Sequence, residues 1–251
     1  MKPSSPNRLI VITGPSCVGK TPLEKALRTR YPELSNPIKR IILYTSRKRR
    51  PGELDAREYH FRTSEQLSAL ADDSTWELIR VRGSIQAIDL TGIKKTLTAS
   101  DALYEGNTFI AKKIITADIL QNISKLSIFI SPFSLTEIRQ LAAKLTASKL
   151  KEYVFQHMRL KLVRRAQKQK TTLDQKELAN IELRAGNAYQ ELGLAHHFNY
   201  VIPNHDGEDS DNWNDFNNPM GEALRTVDAV ADLLKGTRPE IAENWISDLL
   251  K

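Results

Sequence analysis

The residues Gly14-Pro15-Ser16-Cys17-Val18-Gly19-Lys20-Thr21 carry the GxxxxGKT spacing of a loop that wraps a phosphate group. Its glycines let the backbone turn tightly enough for successive amides to converge on one anion, and a helix starting at that point adds the positive end of its dipole. Lys20 is spaced to reach the outer phosphates, and the Thr21 hydroxyl is spaced to hold Mg²⁺. Pro22 falls in the first helical turn, where a missing amide donor matters little. The chemistry is that of a nucleoside-triphosphate binder, with Mg²⁺ as its metal.

Such a loop needs a strand before it and a helix after it. Arg8 to Thr13 contains Leu9-Ile10-Val11-Ile12, a run suited to a strand buried on both faces, and Leu23 to Tyr31 has helical character. Ile38 to Leu43 predicts a second strand, which would deliver the polar stretch from Tyr44 onward to the end of the sheet where ligands collect. Ser127 to Leu135 predicts a further buried strand followed by a helix start, and Thr136 to Lys170 is strongly helical and basic. A closing helix over Met220 to Leu234 gathers Leu224, Val227, Val230, Ala231 and Leu234 on one face. Beyond it, Ile241, Trp245, Ile246 and Leu249 fall at helical spacing and predict a short amphipathic tail that packs on the core or on a partner.

Composition narrows the setting. A chain of 251 residues, 40% hydrophobic and 27% charged, can bury a sizeable core and is not disordered by default. Its single cysteine excludes an internal disulfide, favours a reducing, cytoplasmic compartment and reads as a packing thiol rather than a redox sensor. The apolar run before Gly14 is too short for a signal peptide or a membrane span, so a protein without membrane association is expected. The net charge of +7 is concentrated: Lys39 to Arg50 and His157 to Lys170 each carry six Lys or Arg and no acid. Blocks of that kind suit polyanions, which include nucleotide phosphates and, as an open alternative, nucleic acid. Asp206 to Asp215 carries five acids and no base among Asn and Gly, and reads as an exposed loop. His196 and His197 are adjacent without a nearby Cys and do not make a zinc site.

From Tyr44 to Phe61 the sequence runs YTSRKRRPGELDAREYHF, which resembles the monophosphate-binding segment of guanylate kinases, with Arg47, Arg50, Gly52, Glu53, Tyr59 and Phe61 in register. The resemblance implies that Arg47 and Arg50 clamp the GMP phosphate and that Tyr59 hydrogen-bonds to it; guanidinium forks match phosphate oxygens as lysine cannot. Trp76-Glu77-Leu78 is similar to the stretch whose glutamate reads guanine, giving Glu77 that role. Asn180 to Ala185 resembles the lid helix whose arginine bridges the phosphates of both nucleotides. This makes Arg184 the lid arginine, with Arg164, Arg165 and Arg159 as helpers. His197 to Asp206 resembles the last core strand, with Asn204 beside the ATP base.

The family resemblance implies a three-layer α/β nucleoside-monophosphate-kinase fold with a mostly parallel sheet, organised as one domain. Its core would comprise residues 8–43, 106–135 and 186–235; its monophosphate lobe 44–105; its enlarged helical lid 136–185; and its tail 236–251. The implied reaction is phosphoryl transfer from ATP to GMP. Two alternatives are a non-catalytic module that binds phosphorylated or acidic ligands, and a kinase with another acceptor. Departures from the family pattern bear on activity. Ser84 to Ile88 replaces a segment with a tyrosine and a hydroxyl, and Leu43 stands where a base-contacting serine is usual. Asn107 to Ile115 is matched to the strand that ends in the family's acidic pair, which puts Ala111 and Lys113 at the acidic positions.

Overall fold

The computed structural model describes residues 7–50, 52–81, 83–170 and 172–250. Its elements begin with β1 (Leu9–Thr13), α1 (Lys20–Arg30), α2 (Pro32–Ser35), β2 (Lys39–Arg40), β3 (Tyr44–Thr45), β4 (His60–Phe61), α3 (Ser64–Ser68), β5 (Trp76–Val81) and β6 (Ser84–Asp89). They continue with α4 (Leu90–Leu97), β7 (Ala102–Gly106), α5 (Thr108–Thr116), β8 (Lys125–Ser131), α6 (Leu135–Lys144), α7 (Ala147–Gln169), α8 (Gln175–Gly193), β9 (Tyr200–Pro203) and α9 (Gly221–Lys235). The fold is α/β, with a five-stranded sheet in the order β2-β7-β1-β8-β9. Every residue of β1 is buried, as its unbroken aliphatic run requires.

The chain packs into two compact units. The first draws on Met1–Val11, Pro37–Tyr104 and Ile110–Lys125, the second on Ile12–Asn36, Glu105–Phe109 and Leu126–Lys251. In the first unit a four-stranded sheet runs β4-β3-β6-β5. There β5 and β6 form an antiparallel hairpin in which Glu77 faces Ile88, and β3 is antiparallel to β6 and parallel to β4. Leu67, Ile85 and Ala87 make its small core, against which Tyr44, Trp76 and Leu78 pack. Of the strand expected over Ile38 to Leu43 only Lys39–Arg40 forms, as β2 in parallel with β7; β3, just beyond that span, belongs to the four-stranded sheet.

In the second unit β8 and β9 pair in parallel, with Ile128 opposite Tyr200. Both α7 and α8 start at side-chain caps, Thr146 and the Asp174/Glu177 capping box, and they pack against each other. On α7 the buried residues Leu150, Val154, Met158, Lys161 and Leu162 recur at helical spacing, so the stripe that faces the protein includes one lysine. Among the described residues the amphipathic helix expected near the C-terminus does not form. Glu243 instead bridges Val201 of β9 through backbone hydrogen bonds, and its carboxylate accepts from Leu135 N and Trp245 Nε1 at 2.9 and 2.8 Å. Trp245 is buried and Ile246 exposed. Among the described residues no helix is long and apolar enough to cross a membrane.

Candidate active site

The loop from Gly14 to Thr21 joins β1 to α1, and its glycines are there for measurable reasons. Gly14 has φ 143°, and a Cβ on it would lie 2.1 Å from the Ile130 carbonyl oxygen of β8. Gly19 caps α1 in the left-handed region at φ 92°, and a Cβ there would stand 2.8 Å from Asn204 Nδ2. Cys17 is left-handed too, at φ 69°, a conformation that costs a β-carbon-bearing residue of the order of 1 kcal/mol. Its thiol is buried; burial first, and then the charges of Glu208 and Asp209, push it up to about 12, which leaves the sulfur protonated and unreactive.

Lys20 is tucked into the loop, where its ammonium donates to the carbonyls of Gly14 and Pro15 at 2.8 and 2.6 Å. The Thr21 side chain is exposed at the head of α1. From α8, Arg184 Nε donates to Ser16 Oγ at 3.1 Å, so the residue expected from the lid does meet the loop. Arg165 on α7 is half-buried, and its charge acts on Cys17 and Glu208; Arg164 is exposed, and Arg159 pairs with Glu182 of α8 at 2.5 Å. Asn204, expected to flank the ATP base, is fully buried. Its amide donates to the Val18 and Asp206 carbonyls at 2.9 and 2.8 Å, bracing the loop from behind.

The acidic stretch after Asn204 is not the exposed loop its composition suggests. Gly207 is buried, with its α-carbon so close to the loop that a Cβ would be 2.0 Å from the Cys17 carbonyl oxygen. Asp209 pairs with Lys161 of α7 at 3.2 Å, each side chain only 8% exposed, and Lys161 also donates to the His205 carbonyl at 2.7 Å. The Gly19 amide donates to Glu208 Oε2 at 3.1 Å. Burial raises the Glu208 carboxyl most strongly of any single influence, but Lys20, Arg165 and the Gly19 hydrogen bond together outweigh it and hold it below the usual carboxylate range. Trp213 closes this segment, buried, with its indole N–H donated to the Asp206 carbonyl at 2.6 Å.

The family-matched acids also need correction. Thr108 to Thr116 is helix α5, and the preceding strand is β7, so Ala111 and Lys113 do not occupy strand positions. Ile110, Ala111, Ile114 and Ala117 are buried at intervals of three and four residues, a helical period that tells this segment from a strand. The acid near the C-terminal end of the strand is Glu105, half-buried and missed in the sequence. That end is fixed by Thr13, whose hydroxyl donates to the Gly106 carbonyl at 2.9 Å and lies 3.2 Å from Thr108 Oγ1.

The first unit carries the second set of expected residues. Arg47 makes a two-pronged pair with Glu53, both bonds 2.8 Å, and the Arg50 amide donates to the same carboxylate at 2.8 Å. The Arg47 bond foremost holds the Glu53 carboxyl low, and the reciprocal bond keeps the guanidinium charged. Arg47 also lies over the rings of Tyr59 and Phe61, at 5.3 and 5.7 Å, while the Arg50 side chain is exposed. Glu77 on β5 forms an ion pair with Lys113 at 3.1 Å. Leu43 is buried and offers no polar group, whereas Ser46 is held by β6, accepting the Ile85 amide at 2.9 Å.

The family model described as "Guanylate kinase" matches residues 6–161, more than half of the chain. Among similar proteins, a guanylate kinase of Aromatoleum aromaticum is 38% identical over 40% of this chain and 48% of its own length. One from a Synechococcus species is 33% identical over 55% of this chain and 61% of its own. The chain thus spans about half to three fifths of the length of these curated relatives. Among solved structures, guanylate kinase from Anaplasma phagocytophilum superposes with a TM-score of 0.51 at 16% identity, covering 93% of this chain and 87% of that one, a likeness of fold. With its phosphate loop, its Arg47–Glu53 segment and the match to the family model, the chain belongs to the guanylate kinase family.

Proposed function

We propose that the protein transfers a phosphoryl group from ATP to GMP. The observation that carries this reading is the loop itself: a glycine at φ 143° and another at φ 92°, a buried lysine and an arginine delivered from α8 to Ser16. In that role the amides and Lys20 hold the triphosphate of ATP, and Arg184, with Arg165 as its helper, stabilises charge on the transferring group. The donor set fits Mg²⁺: Thr21 offers an exposed hydroxyl at the head of α1 and Glu105 a carboxylate near the end of β7, both hard oxygen donors. Held by Thr21 and Glu105, Mg²⁺ would supply positive charge against the phosphates.

The acceptor is held by the residues of the first unit. Arg47, oriented by Glu53, and Arg50 take the monophosphate, with Tyr59 as a further donor. Guanine presents two N–H donors and one carbonyl acceptor along a single edge. Glu77 accepts from the donors, and Lys113, its ion-pair partner, matches the carbonyl. The test is ADP release measured across GMP, AMP, CMP and UMP, with Lys20→Ala as the control. Turnover with GMP that vanishes in the variant, while the fold is kept, supports the reading. Equal turnover by Lys20→Ala refutes it, and GMP binding without turnover identifies a non-catalytic module.

A further inference from the structure

The Gly19 amide that meets Glu208 is one of the donors a triphosphate needs, because it stands at the N-terminal end of α1 next to Lys20. A carboxylate oxygen and a phosphate oxygen cannot occupy the same position on that N–H. The Glu208 side chain therefore stands where a phosphate oxygen belongs, facing the same cations, Lys20 and Arg165. It is held there by its neighbours on both sides. Gly207 lies against the Cys17 carbonyl too closely for any side chain, and Asp209 is locked to Lys161 in a buried ion pair. Lys161 also takes the His205 carbonyl, so the short run from His205 to Asp209 is fastened to α7 at two points and to the loop at two others.

We propose that Glu208 is a built-in competitor for the phosphate loop, an autoinhibitory carboxylate that ATP must displace and that the α7 anchor holds in place. The inference rests on the reading of the loop as a triphosphate cradle and goes beyond it, since that reading requires no plug. Two consequences follow from the geometry. Bound triphosphate and the Gly19–Glu208 hydrogen bond exclude each other, and withdrawal of Glu208 leaves Lys20 and Arg165 facing the ligand without a neutralising charge. Because Lys161 belongs to α7, a shift of that helix changes how firmly the plug is seated.

The test is calorimetric titration of the full chain with ATP and, separately, with inorganic tripolyphosphate, which reports the phosphate cradle without the base. Glu208→Gln keeps the shape of the side chain and removes its charge, and Glu208→Ala removes the plug entirely. Both are expected to lower Kd for both ligands by about tenfold or more. Asp215→Asn removes the same formal charge from an exposed position in the same segment and is expected to change Kd less than twofold. Binding by the Glu208 variants that is no tighter than wild type overturns the proposal, as does an equal gain in Asp215→Asn, which would trace the effect to net charge. Tripolyphosphate binding by the variants alone supports it in its strongest form. If neither wild type nor any variant binds either ligand, the triphosphate reading itself falls, and the plug with it.

Discussion

Replacing Lys161 by Met removes one partner of an ion pair whose side chains are each 8% exposed and 3.2 Å apart. Asp209 would then be a buried carboxylate with its cation gone, and the His205 carbonyl would lose a donor now 2.7 Å away. Breaking a buried pair from one side costs about 3–5 kcal/mol, mostly as the penalty on the charge left behind. Domain stabilities are about 5–15 kcal/mol, so the variant should lose roughly a fifth or more of its resistance to urea. Trp213 and Trp245, both buried in the second unit, provide the fluorescence signal. The decisive comparison is the double variant Lys161→Met/Asp209→Leu, which removes both charges and should recover most of the loss, to within about 1–2 kcal/mol of wild type. A single variant that costs under about 1 kcal/mol, or a double variant as unstable as the two single losses added together, would refute the claim that a desolvated charge pair fastens this segment to α7.

Other expectations follow from individual contacts. His157 lies 4.7 Å from the Phe133 ring, and its Nε2 is buried with no hydrogen-bond partner among the described residues. Burial first, then the charges of Lys161 and His205, push its pKa down to about 4. The unfolded chain takes up this proton near pH 6.5, so the contribution is complete above that pH and is lost as pH falls towards 4. The loss amounts to at most about 3 kcal/mol, and His157→Phe should flatten that limb in urea titrations repeated across the range. His205, accepted by Glu137 and Glu222, has the opposite sign: burial lowers its pKa, but those carboxylates outweigh it and raise it. Its contribution is therefore complete below about pH 6.5 and fades as pH rises through the folded value, a trend that His205→Asn should remove. Asn204→Ala takes the buried amide donor from the Val18 carbonyl, while Trp213 still donates to the Asp206 carbonyl, and should cost about 1–3 kcal/mol, seen as a lower Tm. Arg184→Ala should cut ADP release roughly a hundredfold or more without a comparable fall in Tm; unchanged turnover would remove it from the reaction.

What could be read from the chain depended on how local the deciding interaction is. Gly14 to Thr21 was legible because loop, strand and helix lie in consecutive residues; Arg47 and Glu53 stood out by register with the family segment, but their pairing was not foreseen. The acids after Asn204 read as solvent-facing because their partners are remote in sequence: an amide at Gly19 and an ammonium at Lys161. Neither has a local signal. Glu105 was missed for another reason. Matching the family's acidic pair onto Asn107 to Ile115 overrode the helical repeat of Ile110, Ala111 and Ile114, which sets the strand earlier, at Ala102–Gly106. The tail misled in the same way, since four apolar residues at helical spacing proved compatible with a segment pinned by Glu243.

That pinning has a consequence for the outermost strand of the larger sheet. An uncovered border of backbone donors and acceptors is an invitation to pair with a stray chain, and β9 would present one. The exchange between Val201 and Glu243 uses both backbone groups of Val201, while the Glu243 carboxylate ties the same stretch to the start of α6. The closing residues thus act as a selvedge, finishing the fabric where it would otherwise fray into aggregation.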